Sequence, residues 1–300
     1  MSGHRHDRAG SSRALGLVLA LTVAYTAVEI AGGLLTGSLA LLADAGHMLG
    51  DAAALGLALG AAWLATRPAT PRRSFGYRRA EILAALANGL ALVAIAIWVF
   101  VEASMRLGDP PRILGGWMLA VALLGLGVNL AAAAILSRAA GASLNVRAAL
   151  RHVFADVAAS AGVAVAAVVV LTTGWRQADP AAGMAIALLI LASSWTILRD
   201  SVAILLETTP AGIDAHEVGR RMAAAEGVVE VHDLHIWTIT SGFPALSAHV
   251  LVGRGDDCHA RRRELEELLR GEFGLEHTTL QVEHAGEREG LQITPLRRSD

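Results

Sequence analysis

Ser38-Leu-Ala-Leu-Leu-Ala-Asp44-Ala-Gly-His47-Met-Leu-Gly-Asp51 runs into residues 52–65, which carry no charge. Residues 38–65 together are long enough to cross a bilayer as one helix. His47 and Asp51 stand at i and i+4, so an imidazole and a carboxylate share one helix face about a turn apart. The same pattern recurs at His152-Val-Phe-Ala-Asp156, inside a second apolar run. An ionisable side chain at membrane depth costs at least roughly 2.5–3.5 kcal/mol, so four of them require a compensating partner. A divalent metal is the economical one. A single such pair is most often a satisfied ion pair or chance; two copies in separate apolar spans are a different signal.

Working outward, the chain has 300 residues, 54% hydrophobic and only 17% charged. Its apolar residues fall in long runs that exceed what a soluble core needs. Six membrane-spanning helices are expected near 14–35, 38–65, 79–105, 114–137, 145–172 and 180–205, giving a helical membrane domain over 14–208. The basic, His-bearing stretch 1–13 precedes an uncleaved first span and reads as a cytoplasmic tail. Arg67, Arg72, Arg73, Arg78 and Arg79 lie between spans two and three, and Arg138, Arg147 and Arg151 between four and five. The opposite loops hold only Arg106, Arg112 and Arg176, so both termini are expected on the cytoplasmic side. Lysine is absent, net charge is −2, and no basic stripe stands outside the membrane loops, which argues against a nucleic-acid partner. The single cysteine, Cys258, excludes an internal disulfide and a Cys-rich zinc site.

Beyond Pro210 the composition becomes mixed. A helix over 214–225, a strand over 228–240, a turn over 241–244, a strand over 245–252, a helix over 257–271 and a strand over 278–283 make an αββαβ order. That order predicts a small α+β cytoplasmic domain over 209–286, with both helices on one face of an open sheet, followed by a polar tail over 287–300.

His47, Asp51, His152 and Asp156 together form the nitrogen and oxygen set that tetrahedral zinc favours, half from span two and half from span five. A site divided between two helices opens when they shift, which suits a transporter. Imidazole titrates near about 6.5 and must be neutral to bind metal, so protons and metal compete for the same atoms and antiport needs no second site. Of the other polar groups, Glu29, Asp44 and Asn129 lie within spans, with Asp44 a candidate for an outer neighbour of the metal or for a residue at the mouth of the site. Glu81 beside Arg78 and Arg79, and Glu102 with Arg106, read as interfacial ion pairs.

These strings, with Phe75-Gly-Tyr-Arg-Arg-Ala-Glu-Ile-Leu83, Asn145-Val-Arg-Ala-Ala-Leu-Arg-His152 and Val231-His-Asp-Leu-His-Ile-Trp237, closely resemble the cation diffusion facilitator family of heavy-metal exporters over about residues 14–284. The resemblance implies six helices, a metallochaperone-like cytoplasmic domain, a homodimer in the inner (plasma) membrane, and metal/proton antiport out of the cytoplasm. It implies zinc as cargo, with His47, Asp51, His152 and Asp156 as transport ligands. It also implies a regulatory zinc site in the cytoplasmic domain at His232, His249, His277 and Glu283. His235 is a competing candidate, three residues from His232 and expected on the opposite face of the strand. Two features depart from the family: residues 66–79 contain no Asp or His for a loop site, and no histidine-rich loop separates spans four and five. His4, His6 and Asp7 are weighed as metal-loading residues against an unstructured tail. Other readings are cadmium, cobalt, nickel or iron as main cargo, a membrane metal sensor or scaffold, and an intramembrane metalloenzyme. The last lacks an open coordination position and any His-Glu-x-x-His.

Overall fold

A computed structural model describes residues 3–139 and 144–286. The side chains of His4, His6 and Asp7, and all of 287–300, lie outside the described residues. The chain divides into two compact units, Met1–Trp63 with Ala84–Arg199, and Leu64–Leu83 with Asp200–Asp300.

Six long helices carry the apolar runs: α1 (Gly3–Thr36), α2 (Leu39–Ala65), α3 (Ala80–Gly108), α4 (Gly115–Ala139), α5 (Leu144–Thr173) and α6 (Ala178–Leu205). Their bounds follow the expected spans closely except at α1, which is already helical from Gly3 where a tail was expected over 1–13. Five of the six, α2 apart, contain described segments long and apolar enough to cross a membrane, and α2 has 27 residues.

In the first unit, Leu39, Leu41, Val99, Met118 and Ile190 fill the interior among Ala96, Ala103, Ala122, Ala167 and Ala187. Small side chains let helices approach closely, the usual means of packing helices where lipid offers no hydrophobic drive. At Gly50 of α2, a Cβ would sit 2.2 Å from Leu92 Cδ2 of α3. Trp98, Trp117, Leu189 and Trp195 instead face outward and exposed. An apolar surface of that extent suits hydrocarbon rather than water.

In the second unit, α7 (Ala215–Ala223), β1 (Val228–Thr240), β2 (Phe243–Val252), α8 (Cys258–Phe273) and β3 (His277–His284) realise the αββαβ order. The sheet order is β1-β2-β3, with β1 and β2 antiparallel and β2 and β3 parallel. Strand β2 begins at Phe243, so the hairpin turn is shorter than the expected 241–244. Val218 and Met222 of α7 and Leu265 and Leu269 of α8 share one core with Ile236, Leu246, Val250 and Leu280, so both helices cover the same sheet face. The Arg221 guanidinium donates to Glu272 at 2.7 Å and ties α7 to α8. Each helix begins at an aspartate cap, Asp214 and Asp257. The Ala260 and His259 N–H groups hold the Asp257 carboxyl below the ordinary carboxylate range.

Segment 66–83 belongs to this unit, and its charges pair differently from the expectation. Arg79 donates to Glu207 at 2.8 Å, and Arg78 lies over the Phe243 ring at 4.3 Å. Glu81 accepts instead from the Thr240 hydroxyl, also at 2.8 Å. The expected Glu102–Arg106 pair is present at 2.8 Å.

Candidate metal centre

Helices α2 and α5 present their His/Asp faces to each other. His152 Nε2 lies 3.1 Å from Asp51 Oδ2 and 3.9 Å from Asp156 Oδ2. His47 Nε2 lies 3.7 Å from Asp51 Oδ2 and 3.9 Å from Asp156 Oδ1. Two ligands bonded at about 2.0–2.1 Å in a tetrahedron stand about 3.3 Å apart, so these separations are close to that of a zinc shell. His47, Asp51 and Asp156 each offer one atom within 4.8 Å of the others. His152 joins this tighter trio through Asp51, with the two imidazoles 6.0 Å apart and nearly perpendicular. Asp156 is 7% exposed and its Oδ1, like His47 Nδ1, has no hydrogen-bond partner among the described residues. Buried acceptors are normally satisfied, so an unpaired carboxylate oxygen beside an imidazole fits a cation-binding position.

A cavity of about 300 Å³ leads to the quartet, lined by Asp51, His152 and Asp156 together with Val18, Leu55 and Leu136. Its walls come from the middle of α1, the middle of α2, the end of α4 and the first half of α5. The α4 and α5 portions lie toward the end of the bundle where the loop between these two helices attaches.

On the far side of the quartet sits a buried polar layer. Tyr25 OH donates to Glu29 Oε1 at 3.0 Å, Asn129 Nδ2 donates to Ser160 Oγ at 3.0 Å, and Ser160 Oγ donates to Asp44 Oδ2 at 3.3 Å. Beyond it, the start of α2 is held by α6. Asp179 accepts from Ser38 Oγ at 2.5 Å, Leu39 N at 2.8 Å and Ala40 N at 3.2 Å, while Ser38 Oγ accepts from Leu41 N at 3.2 Å. The first three N–H groups of α2, which no helix can satisfy internally, are thus all bonded. Arg106 Nη1 donates to Gly37 O at 2.8 Å beside them. Sequence reasoning missed Asp179, whose only signal is one acid at the head of an apolar span.

In the cytoplasmic-type domain, His232 and His249 are directly opposed across β1 and β2, with ring centroids 5.4 Å apart. They lie on the sheet face not covered by α7 and α8, since Val231 and Val250 beside them face the core. Glu283 shares that face, paired with Leu251. His277 does not join them: it pairs with Ala245, four register steps or about 13 Å from the Gln281 that pairs with His249, and packs against Phe75 and Phe243. His235 also departs from expectation. The register shifts by one residue between His232 and His235, where Asp233 adopts φ +54, so both histidines face the same side. Asp233 lies 3.0 Å from His235 and 3.9 Å from His249.

Residues 15–206 match the cation efflux transmembrane domain, and 210–285 match the cytoplasmic domain of cation efflux proteins. The metal cation efflux system protein CzcD of Cupriavidus metallidurans is 42% identical over 286 residues, 95% of this chain and 90% of that protein. The cadmium, cobalt and zinc/H(+)-K(+) antiporter of Bacillus subtilis is 40% identical over 94% of this chain and 92% of its own length. The zinc transporter ZitB of Escherichia coli is 39% identical, with the same coverage of each chain.

Proposed function

This chain belongs to the cation efflux family, the cation diffusion facilitators, and from that membership we propose that it exports divalent metal cations, zinc foremost, through the His47, Asp51, His152 and Asp156 quartet in exchange for protons. The observation that carries the reading is the convergence of four zinc-type donors, two from each of two helices, at the end of an open cavity. Imidazole and carboxylate suit zinc better than magnesium or calcium. The names of the relatives, which include cadmium and cobalt, set the range of competing cargo.

The arginine-rich loops mark the cytoplasmic side of the plasma membrane by charge asymmetry. The cavity therefore opens to the cytoplasm and receives metal there, while the Asp179 contacts close the opposite end. Exchange of the open end requires only that α2 and α5 shift, since each holds half the ligands. Protons serve as counter-ions because they compete for the same imidazole and carboxylate atoms. Two copies pair through the cytoplasmic domain, and metal at His232 and His249, with Asp233, His235 or Glu283 completing the shell, biases the bundle between its states.

Proteoliposomes carrying an internal pH dye and an external metal test the reading. Zinc, cadmium and cobalt are expected to drive proton movement opposite to the metal and magnesium is not; equal proton fluxes with zinc and magnesium would overturn it. A competition series with His47→Asp tests selectivity, and zinc preference is expected to weaken when one imidazole is lost. For the cytoplasmic site, the His232→Ala, His249→Ala double variant of the full chain is expected to bind about one metal fewer per chain by calorimetry while transport continues. Unchanged stoichiometry removes that site from the account.

A further inference from the structure

Glu29 is a carboxylic side chain two turns before the end of α1, 1% exposed, and belongs to none of the four metal-binding positions. One oxygen, Oε1, accepts from Tyr25 OH at 3.0 Å. The other, Oε2, is buried with no hydrogen-bond partner among the described residues. The groups that bear on Glu29 are Tyr25, Asp44 and, more weakly, Asp156, none of them cationic, while Asp44 also feels His47 from the next turn of α2. Asp44 is also 1% exposed, and its identified bond is to the Ser160 hydroxyl. The layer therefore brings Tyr25 and Glu29 from α1, Asp44 from α2, Asn129 from α4 and Ser160 from α5 to one level of the bundle. The site is built into the packing: a Cβ at Gly125 of α4 would lie 2.1 Å from Tyr25 OH, so the hydroxyl reaches Glu29 only past a glycine.

Two adjacent carboxylates cannot both remain ionised without a cation when they are shut off from water; they share a proton instead. The position of the layer gives that proton a role. Asp44 precedes His47 by three residues and Ser160 follows Asp156 by four, so the layer lies about one helical turn, roughly 5–6 Å, beyond the quartet on the side away from the cavity. We propose that Glu29, paired with Asp44, is a proton-binding site separate from the metal ligands, occupied while the quartet is empty and emptied when metal enters. A divalent cation one turn away favours two carboxylates over a shared proton. The Glu29 O–H bond then breaks, its electron pair stays on the carboxylate, and the proton passes to water in the cavity that Asp156 lines, one turn away. The reverse transfer reloads the pair once the metal has gone. This rests on the quartet being the metal site, and it adds a second proton store where competition at the ligands alone requires none.

The test titrates purified full-length protein in detergent with zinc or cadmium in weak buffer, counting metal bound and protons released. Glu29→Gln is expected to bind metal with an affinity within a few-fold of wild type and to release about one proton fewer per metal. Glu29→Asp, which keeps a titratable group, is expected to restore the count. An unchanged count in Glu29→Gln, or an equal loss in both variants, overturns the proposal. Infrared difference spectra of the wild type give a reading that does not depend on any variant folding: metal should remove a protonated-carboxyl band, and its persistence also overturns the proposal. Asp51→Ala separates this from the wider reading. If that variant still binds metal and releases protons as wild type does, the quartet assignment fails, whatever Glu29 does.

Discussion

Asp156→Ala is expected to abolish zinc transport in proteoliposomes, by more than about 100-fold, while leaving the folded protein at least as stable as wild type. Loss of a group that merely supports metal ligands already costs about 10–100-fold, and Asp156 is placed to be a ligand itself. Its two oxygens lie 3.9 Å from His47 and from His152, so, like Asp51, it is an acid that both imidazoles share, and it is the more buried of the two. Without it three donors remain, with one negative charge between them to oppose two positive ones. Stability should move the other way. The carboxylate is buried and one oxygen is unpaired, so its removal relieves a desolvation cost, and alanine is the strongest helix former. Transport at the wild-type rate in Asp156→Ala removes the quartet as the transport site. Lost transport with a lowered thermal midpoint would instead recast Asp156 as a structural group.

Asp179→Ala is expected to lose both transport and stability. Three donors at the start of α2 converge on this one carboxylate, across a sequence separation of about 140 residues. Truncation leaves the Leu39 and Ala40 N–H groups without acceptors inside the bundle, and removes a negative charge from the positive end of the α2 dipole. A lost cap costs about 0.5–2 kcal/mol and a buried unsatisfied donor about 1–3, so a loss of about 2–4 kcal/mol is expected. Transport falls because His47 and Asp51 are positioned along α2 from this anchored end. Asp179→Asn, which keeps an acceptor oxygen, should retain more stability than alanine. Combining Asp179→Ala with Ser38→Ala should cost less than the sum of the two, because they share a bond. Thermal unfolding and flux measurements check both statements; wild-type behaviour of Asp179→Ala in each would show that the contact positions nothing.

The contrast between these two aspartates reflects what each kind of information carries. Asp156 is legible in the chain because its partner is four residues away and the whole motif is duplicated. Asp179 is not, because an acid in the first turn of a helix already has a local explanation in the helix dipole. Glu29 and Asp44 were visible as charges in apolar spans, but their pairing depends on which faces of α1 and α2 meet. The bulge at Asp233 carries no periodic signal, yet it moves His235 to the face of His232. His277 was expected with the other domain histidines, and the parallel register of β3 on β2 sets it four steps away.

By itself, then, the sequence determined the six helices, the αββαβ domain and the two His/Asp pairs, since hydropathy over about 20 residues and spacings of four are local properties. Only the tertiary structure decided that α2 and α5 face each other, that a second acidic layer lies beyond their quartet, and that α6 holds the start of α2. Those contacts join residues that are distant in the chain, and burial gives them their energetic weight: the same carboxylates on a solvated surface would be screened and nearly indifferent to one another.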